Sequence, residues 1–309
     1  MKRIVTLTLN PALDVSTSVE SVASEIKLRC TTPEYDPGGG GINVSRAIKK
    51  LGGDSLAIFT AGGGNGTMLT ELVEREAIQC EPVPISGLTR QSFTAFERTT
   101  TLQYRFNLPG PELSAAELDR CTQAILAQHA DYVVASGSLP PGVPDDFYAT
   151  LTQAAEAQGS RVIIDTSGKA LEAMLRGGAF LLKPNIGELE TLSGKKFTGE
   201  DQLKDTAQAL IAQGMAEVLV ISLGAGGAAL VTRDLFVSLR PPVVPVQSKV
   251  GAGDSMVGGL TLALAQERDL VDAVRYGVAS GTAAVMTSGT DLCRKEDVEA
   301  VYPRVMVIH

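Results

Sequence analysis

The sequence predicts a doubly wound α/β fold, a mostly parallel sheet with helices on both faces, carrying a small β-sheet lid. Three observations predict it. Short apolar strand-like runs alternate with amphipathic helical stretches along the chain. Glycine-rich and polar segments follow the strand-like runs, where open α/β sheets bind ligands beyond the carboxyl ends of their strands. Two stretches rich in Thr, Phe and Tyr interrupt the alternation. The 309 residues are expected to form one domain, because α/β domains of roughly 250 residues keep a single core. Lid segments are expected at about 11–37 and 88–108.

In chain order, Ile4-Val5-Thr6-Leu7 opens a first strand over 4–9, and a helix follows over 42–51. Strands are expected next at 55–60, 131–135, 161–165, 179–183 and 218–222, each a short apolar run. Helices are expected at 114–128, 145–158, 201–213, 253–265 and 270–287, where apolar residues recur at helical spacing. Residues 27–35 and 91–106 partly alternate and read as antiparallel lid strands. Residues 228–232 and 235–237 read as a hairpin.

Composition excludes several classes of function. The net charge of −8, with no Lys/Arg-rich run, disfavours broad binding to nucleic-acid phosphates. No apolar run is long enough to span a bilayer. The start reads as a strand rather than a signal peptide, and a cytoplasmic location is expected. Cys30, Cys80, Cys121 and Cys293 show no C-x-x-C spacing and are expected to be free thiols. His129 and His309 are the only histidines, far from any acid cluster, so histidine-based nucleophilic catalysis and multi-His metal sites lack parts.

The sharpest segment is Val250-Gly251-Ala252-Gly253-Asp254-Ser255, just before a long helical run. Unpaired N–H groups at a helix start make an anion site. Asp254 cannot favour an anion by its charge, so it needs another reason to be there. Removing a proton from an attacking hydroxyl is one such reason; an ordinary N-terminal helix carboxylate is the other. Asn185 and Glu188, in Lys183-Pro184-Asn185-Ile186-Gly187-Glu188, lie one helical turn apart. They suit either a hydrated Mg²⁺ or a plain helix cap. Gly224, Gly226 and Ala229 fit a dinucleotide fingerprint, but that motif needs a helix next and a hairpin follows, so an NAD-dependent oxidoreductase is disfavoured. Walker A and protein-kinase motifs do not occur.

The Val250–Ser255 segment resembles a signature of the PfkB, or ribokinase-like, sugar kinases. Gly38-Gly39-Gly40-Gly41-Ile42-Asn43-Val44-Ser45-Arg46-Ala47 resembles the family's second signature, and matches extend over 6–293. The resemblance implies a ribokinase-like fold and ATP-dependent phosphorylation of a sugar hydroxyl, with Asp254 as base and the amides of Gly251, Ala252 and Gly253 as anion hole. It implies nucleotide contacts from Lys183, Asn185, Ser222, Gly224, Gly226 and Gly227, and Mg²⁺ held through Asn185 and Glu188, with Asp165 nearby. It implies sugar contacts from Asp14, Gly38, Gly39, Asn43 and Ser138. Lys27, Arg90 and Arg105 are expected to meet a sugar phosphate from the lid. Ser248, Val250, Ala284, Thr287, Gly289 and Asp291 match positions that bind a monovalent cation, usually K⁺, in the family.

Four consecutive glycines, with no lysine among them, and lid segments similar to those of family members acting on fructose 6-phosphate favour that substrate. Tagatose 6-phosphate and fructose 1-phosphate are the alternatives within the family, and an idle sugar-phosphate sensor is one outside it. Two positions depart from the family pattern: Asn10 stands for a small residue and Asp291 for an arginine. A homodimer through the lid is implied, since lid strands with an exposed apolar face seek a partner.

Overall fold

The computed structural model describes residues 1–308; His309 lies outside them. The first half runs β1 (Ile4–Thr8), β2 (Ala12–Val19), β3 (Glu34–Gly38), α1 (Gly40–Lys50), β4 (Leu56–Ala61), α2 (Gly63–Arg75), β5 (Gln79–Pro84), β6 (Arg90–Glu97), β7 (Gln103–Asn107), α3 (Ala115–Leu126), β8 (Tyr132–Ser136) and α4 (Phe147–Glu156). The second half runs β9 (Arg161–Asp165), α5 (Gly168–Ala173), β10 (Leu181–Leu182), α6 (Ile186–Ser193), α7 (Glu200–Ala212), β11 (Val218–Ser222), β12 (Ala228–Val231), β13 (Phe236–Arg240), α8 (Ala252–Ala265), α9 (Leu270–Ala284), α10 (Lys295–Val301) and β14 (Met306–Ile308).

The main sheet has the order β14-β13-β12-β11-β10-β9-β8-β1-β4-β5. From β5 to β11 every pairing is parallel, and β11 to β14 pair antiparallel. β1 is buried along its whole length, as befits a central parallel strand; its two threonines are met there, Thr6 by the Ser45 hydroxyl and Thr8 by the Ile42 N–H. Its side chains alternate between faces: Val5 and Leu7 pack with Leu118, Cys121, Ile125 and Tyr148 of α3 and α4. Ile4 packs on the other side with Val44, Ile48, Val257 and Leu260 of α1 and α8. The chain leaves β1 towards β4 on one side and returns to β8 on the other. Their carboxyl ends therefore frame a switch-point crevice, where open α/β sheets bind ligands.

α8 is wedged between α1 and α9 by small residues. A methyl group on Gly259 would stand 2.1 Å from Ser280 Oγ, inside contact distance. This close approach fixes where the N-terminus of α8 emerges over the crevice.

The second sheet has the order β3-β2-β6-β7, and here two expectations are corrected. Residues 20–33 hold no strand; of the expected 27–35 region only Glu34 and Tyr35 pair, in the strand Glu34–Gly38. Every residue of 20–33 is exposed, so its β-prone threonines have no face to bury. The sheet is also mixed: β2 and β6 are parallel, while β2–β3 and β6–β7 are antiparallel. The excursion through α1, β4, α2 and β5 supplies the long crossover that parallel pairing needs.

Smaller differences have local causes. β10 shrinks to two residues. α9 stops at Ala284, where Thr287 turns its hydroxyl onto the Ala284 carbonyl at 2.8 Å. α2, β5, α5, α10 and β14 were not expected from the sequence. The hairpin after residue 227 is β12–β13. Among the described residues, no helix is long and apolar enough to cross a membrane.

Candidate active site

Gly251 caps α8 with φ 70°, and no side chain caps the helix. A side chain at Gly251 would strain the left-handed backbone and meet Leu292 Cδ2 at 2.2 Å. The tip thus stays bare, with the first-turn N–H groups that an α-helix leaves unpaired. Asp254 stands in that turn, and its Oδ2 accepts a hydrogen bond from Asn43 Nδ2 at 2.9 Å. Burial, then the negative charge of Asp165, push its carboxyl up to about 6, against the Asn43 hydrogen bond and the charges of Lys183 and Arg46.

Lys183, at the end of β10, is buried and ion-paired with Asp165 at 3.0 Å. A methyl group on Gly253 would lie 3.7 Å from Lys183 Nζ, so the ammonium stands beside the helix tip. Burial pulls its pKa down, but Asp165, Asp254 and Glu188 together hold it above the usual lysine value. The result is a cation and a row of amide dipoles converging on one spot, which suits a multiply charged anion.

Asn185 and Glu188 form a reciprocal helix cap. Glu188 N donates to Asn185 Oδ1 at 2.9 Å, and Asn185 N donates to Glu188 Oε2 at 2.8 Å. The capping alternative is therefore realised. It does not exhaust Glu188, whose carboxyl is raised by burial and by the nearby Asp165, against the Asn185 N–H and Lys183. Asp165 is near enough to add to that rise, and carboxylates grouped in this way suit a divalent cation bound through water. The magnesium ion keeps several waters and needs no all-protein cage, and among the described residues no cluster of three or more His, Cys, Asp or Glu could supply one. A bridge pairs Asn185 with Ser222, which brings the 222–227 turn alongside. Gly224 and Gly226 are exposed on that turn. Gly227 is buried, and a side chain there would strike the Leu239 carbonyl at 2.0 Å, so it closes the hairpin rather than facing the crevice.

On the lid side, Asp14 of β2 lies between Asp36 of β3 and Ser92 of β6. Gly38 leaves room for its carboxylate, since a methyl group there would sit 2.3 Å from Asp14 Oδ2. Burial pushes Asp14 up to about 6, with Asp36 adding to the rise and Arg90 and the Ser92 hydroxyl opposing it. Arg90 is held by carbonyls: Nε and Nη2 donate to Asn10 O at 3.3 and 3.1 Å, and Nη1 donates to Leu108 O at 3.3 Å. Ser138 lies beside it through Asn10, whose Nδ2 donates to Ser138 Oγ at 3.1 Å. Gly39 is the N-cap of α1, and its carbonyl accepts from the N–H of Asn43, four residues on, at 2.8 Å.

Lys27 and Arg105 do not join this group within the chain. Lys27 is exposed in the 20–33 loop. Arg105 is exposed on β7 opposite Thr94, four residues along β6 from Arg90, a strand distance of about 13 Å.

The residues expected at a cation site do gather. Ser248 Oγ donates to Gly289 O at 3.0 Å, its oxygen accepts from Val250 N, and Thr287 Oγ1 donates to Ala284 O and Leu292 O. Asp291 is the exception: its carboxylate is ion-paired with Lys50 at 3.0 Å and Arg294 at 2.7 Å. Its side chain is already neutralised.

Arg46, Glu76 and Asp36 were missed as site residues. An arginine among Val44, Ser45, Ala47 and Ile48 was the available signal, because a charge on an apolar helix face needs a partner. Glu76 and Asp36 gave none.

Comparisons with known proteins bear on the family and the fold. A model of the pfkB family carbohydrate kinases matches residues 6–297. The ATP-dependent 6-phosphofructokinase isozyme 2 of Mycobacterium tuberculosis is 44% identical over 302 residues, 97% of this chain and 89% of the relative. Phosphofructokinase-2 from Escherichia coli in complex with fructose-6-phosphate superposes with TM-score 0.93 at 42% identity, over 99% of both chains. The same Escherichia coli enzyme in complex with potassium gives TM-score 0.94 at 43% identity, over 98% of this chain and 99% of that one.

Proposed function

Since this chain belongs to the pfkB family of carbohydrate kinases, we propose that it transfers the γ-phosphoryl group of ATP to the 1-hydroxyl of D-fructose 6-phosphate. The products are fructose 1,6-bisphosphate and ADP. Its fold is ribokinase-like, and it is an ATP-dependent sugar-phosphate kinase. The observation that carries the residue assignment is the meeting of Asp254, Lys183 and the bare tip of α8, with Asp254 tied through Asn43 to the glycine run whose Gly38 lies against Asp14.

In this reading Asp14 accepts hydrogen bonds from sugar hydroxyls, with Gly38, Gly39 and Ser138 close by. Arg90 receives the 6-phosphate. Asn43 holds Asp254 Oδ2, which leaves Oδ1 to take the proton of the 1-hydroxyl as its oxygen attacks the γ-phosphorus in line. Amides of Gly251, Ala252 and Gly253, with Lys183, meet the negative charge on the transferring group. Ser222, Gly224 and Gly226 flank the nucleotide. Glu188 and Asn185 would hold Mg²⁺ through water, where it would supply further charge neutralisation. Backbone oxygens at Ser248, Val250, Ala284, Thr287 and Gly289 are proposed to hold a monovalent cation, K⁺ by analogy with the Escherichia coli complex, without the Asp291 carboxylate.

The chain is taken as one kinase unit whose lid seeks a second copy. Support comes from Tyr35, Phe106 and Leu102, which are 38%, 55% and 56% exposed on the lid. Four unpaired cysteines suit a reducing compartment, and the cytoplasm is the proposed location.

The test is a panel of phosphorylated and free sugars assayed with MgATP. Turnover is expected to be greatest with fructose 6-phosphate. Higher kcat/KM on tagatose 6-phosphate or fructose 1-phosphate would overturn the substrate assignment. The pH profile offers a second check. Asp254 must be ionised to accept a proton, and its carboxyl is raised to about 6. Activity is therefore present above that pH and lost as pH falls through it, so kcat/KM should show an acid limb near pH 6. A limb near pH 4, the ordinary carboxylate range, would reject the assignment.

A further inference from the structure

Arg46 is 4% exposed on α1, and a guanidinium is tolerated there only where its charge and donors are met. Nε and Nη2 both reach Glu76 Oε1 at 2.8 Å. Nη1 donates to Pro37 O at 3.1 Å and to Asn43 Oδ1 at 3.2 Å. Asn43 in turn donates through Nδ2 to Asp254 Oδ2 at 2.9 Å. Arginine has donors and no acceptor, whereas a carboxamide has one end of each kind. The arginine behind Asn43 thus dictates which end faces it: oxygen towards Arg46, NH₂ towards Asp254. A reversed amide would set NH₂ against guanidinium and oxygen against carboxylate, two repulsive contacts in a poorly solvated place.

We propose that Arg46 is a positioning residue for phosphoryl transfer, locking the Asn43 amide so that one Asp254 oxygen is held and the other is kept for the substrate proton. Glu76, just past the end of α2, anchors Arg46 from outside the crevice. Pro37, the other acceptor, immediately precedes Gly38, so the same guanidinium steadies the backbone beside Asp14. The charged groups around Asp254 are Asp165, Lys183 and Arg46, and Arg46 is the one that acts through Asn43 as well as by its field. The inference rests on Asp254 being the base.

A double-mutant cycle on the full-length protein tests it. Arg46→Met and Asn43→Ala should each lower kcat by about a hundredfold, the size expected when a reacting group is displaced by an ångström. The double variant should fall no more than about threefold below the weaker single variant, because both changes remove the same restraint. The acid limb of kcat/KM should move to higher pH in Arg46→Met, where a positive charge is lost, and stay in place in Arg46→Lys. Losses that multiply in the cycle, or an unmoved acid limb in Arg46→Met, overturn the proposal. If Arg46→Met does not fold, the Arg46→Lys and Asn43→Ala cycle decides: a loss of about tenfold that vanishes in the Asn43→Ala background supports it, and a multiplying loss overturns it. Asp254→Asn separates the two readings. Near-normal turnover of that variant removes the base and this inference together, whereas an inactive Asp254→Asn with a multiplying cycle removes only the inference.

Discussion

Asp254→Asn is expected to lower kcat by about a thousandfold or more while nucleotide binding changes by less than about threefold. Asparagine fills the same space, and nothing about the bare helix tip requires a carboxylate: Gly251 makes the cap through its own backbone. Lys183 remains paired with Asp165, so the cationic side of the anion site persists. What disappears is the proton acceptor, and a positioned base is worth roughly 10²- to 10⁴-fold. A thousandfold loss corresponds to about 4 kcal/mol of transition-state stabilisation. Losing a negative charge next to the phosphate site should, if anything, tighten ATP slightly. Steady-state turnover together with equilibrium nucleotide titration reads both quantities. Near-normal turnover would refute the base, and a parallel loss of nucleotide affinity would assign Asp254 a structural role instead.

Arg90→Ala should raise the KM for fructose 6-phosphate by about a hundredfold and leave the KM for ATP within about threefold. Of the five guanidinium N–H groups, one each from Nε, Nη1 and Nη2 meets the Asn10 and Leu108 carbonyls. Those bonds fix the plane of the group and leave two hydrogens free for an incoming anion. A charge-assisted pair of this kind contributes about 1.5–3 kcal/mol, which brackets the expected change. Alanine also removes the charge that opposes the rise in the Asp14 carboxyl, so sugar hydroxyls lose part of an acceptor as well. Equal effects on both substrates would place Arg90 away from the sugar phosphate. Lys27→Ala and Arg105→Ala offer the contrast, since in the single chain neither side chain reaches this cluster.

Legibility in the sequence followed the range of the interactions. The α8 tip and the glycine run were readable because every part of each lies within about ten consecutive residues. The parallel core was readable because β1, β8 and β11 are buried almost throughout and β9 over its central three residues, so apolar residues dominate each. The lid was not. Whether residue 12 pairs with residue 90 or residue 31 is decided by the crossover through β4 and β5, which no local pattern encodes. Asn185 and Glu188 gave a correct spacing with two meanings, and the capping meaning is realised in the hydrogen bonds. Asp291 matched a position but not a chemistry: its partners Lys50 and Arg294 include one from α1, about 240 residues away. The Arg46–Glu76 pair was hidden for the same reason, with one half on α1 and the other just past the end of α2.

The junction between lid and core has no slack. β3 ends at Gly38 and α1 begins at Gly40, so a single residue joins them. Any tilt of the small sheet is levered straight into the turn that carries Asn43, and so into the grip on Asp254. On the proposed function, the sugar seat beside Gly38 and the helix that carries Asn43 share this one-residue connection.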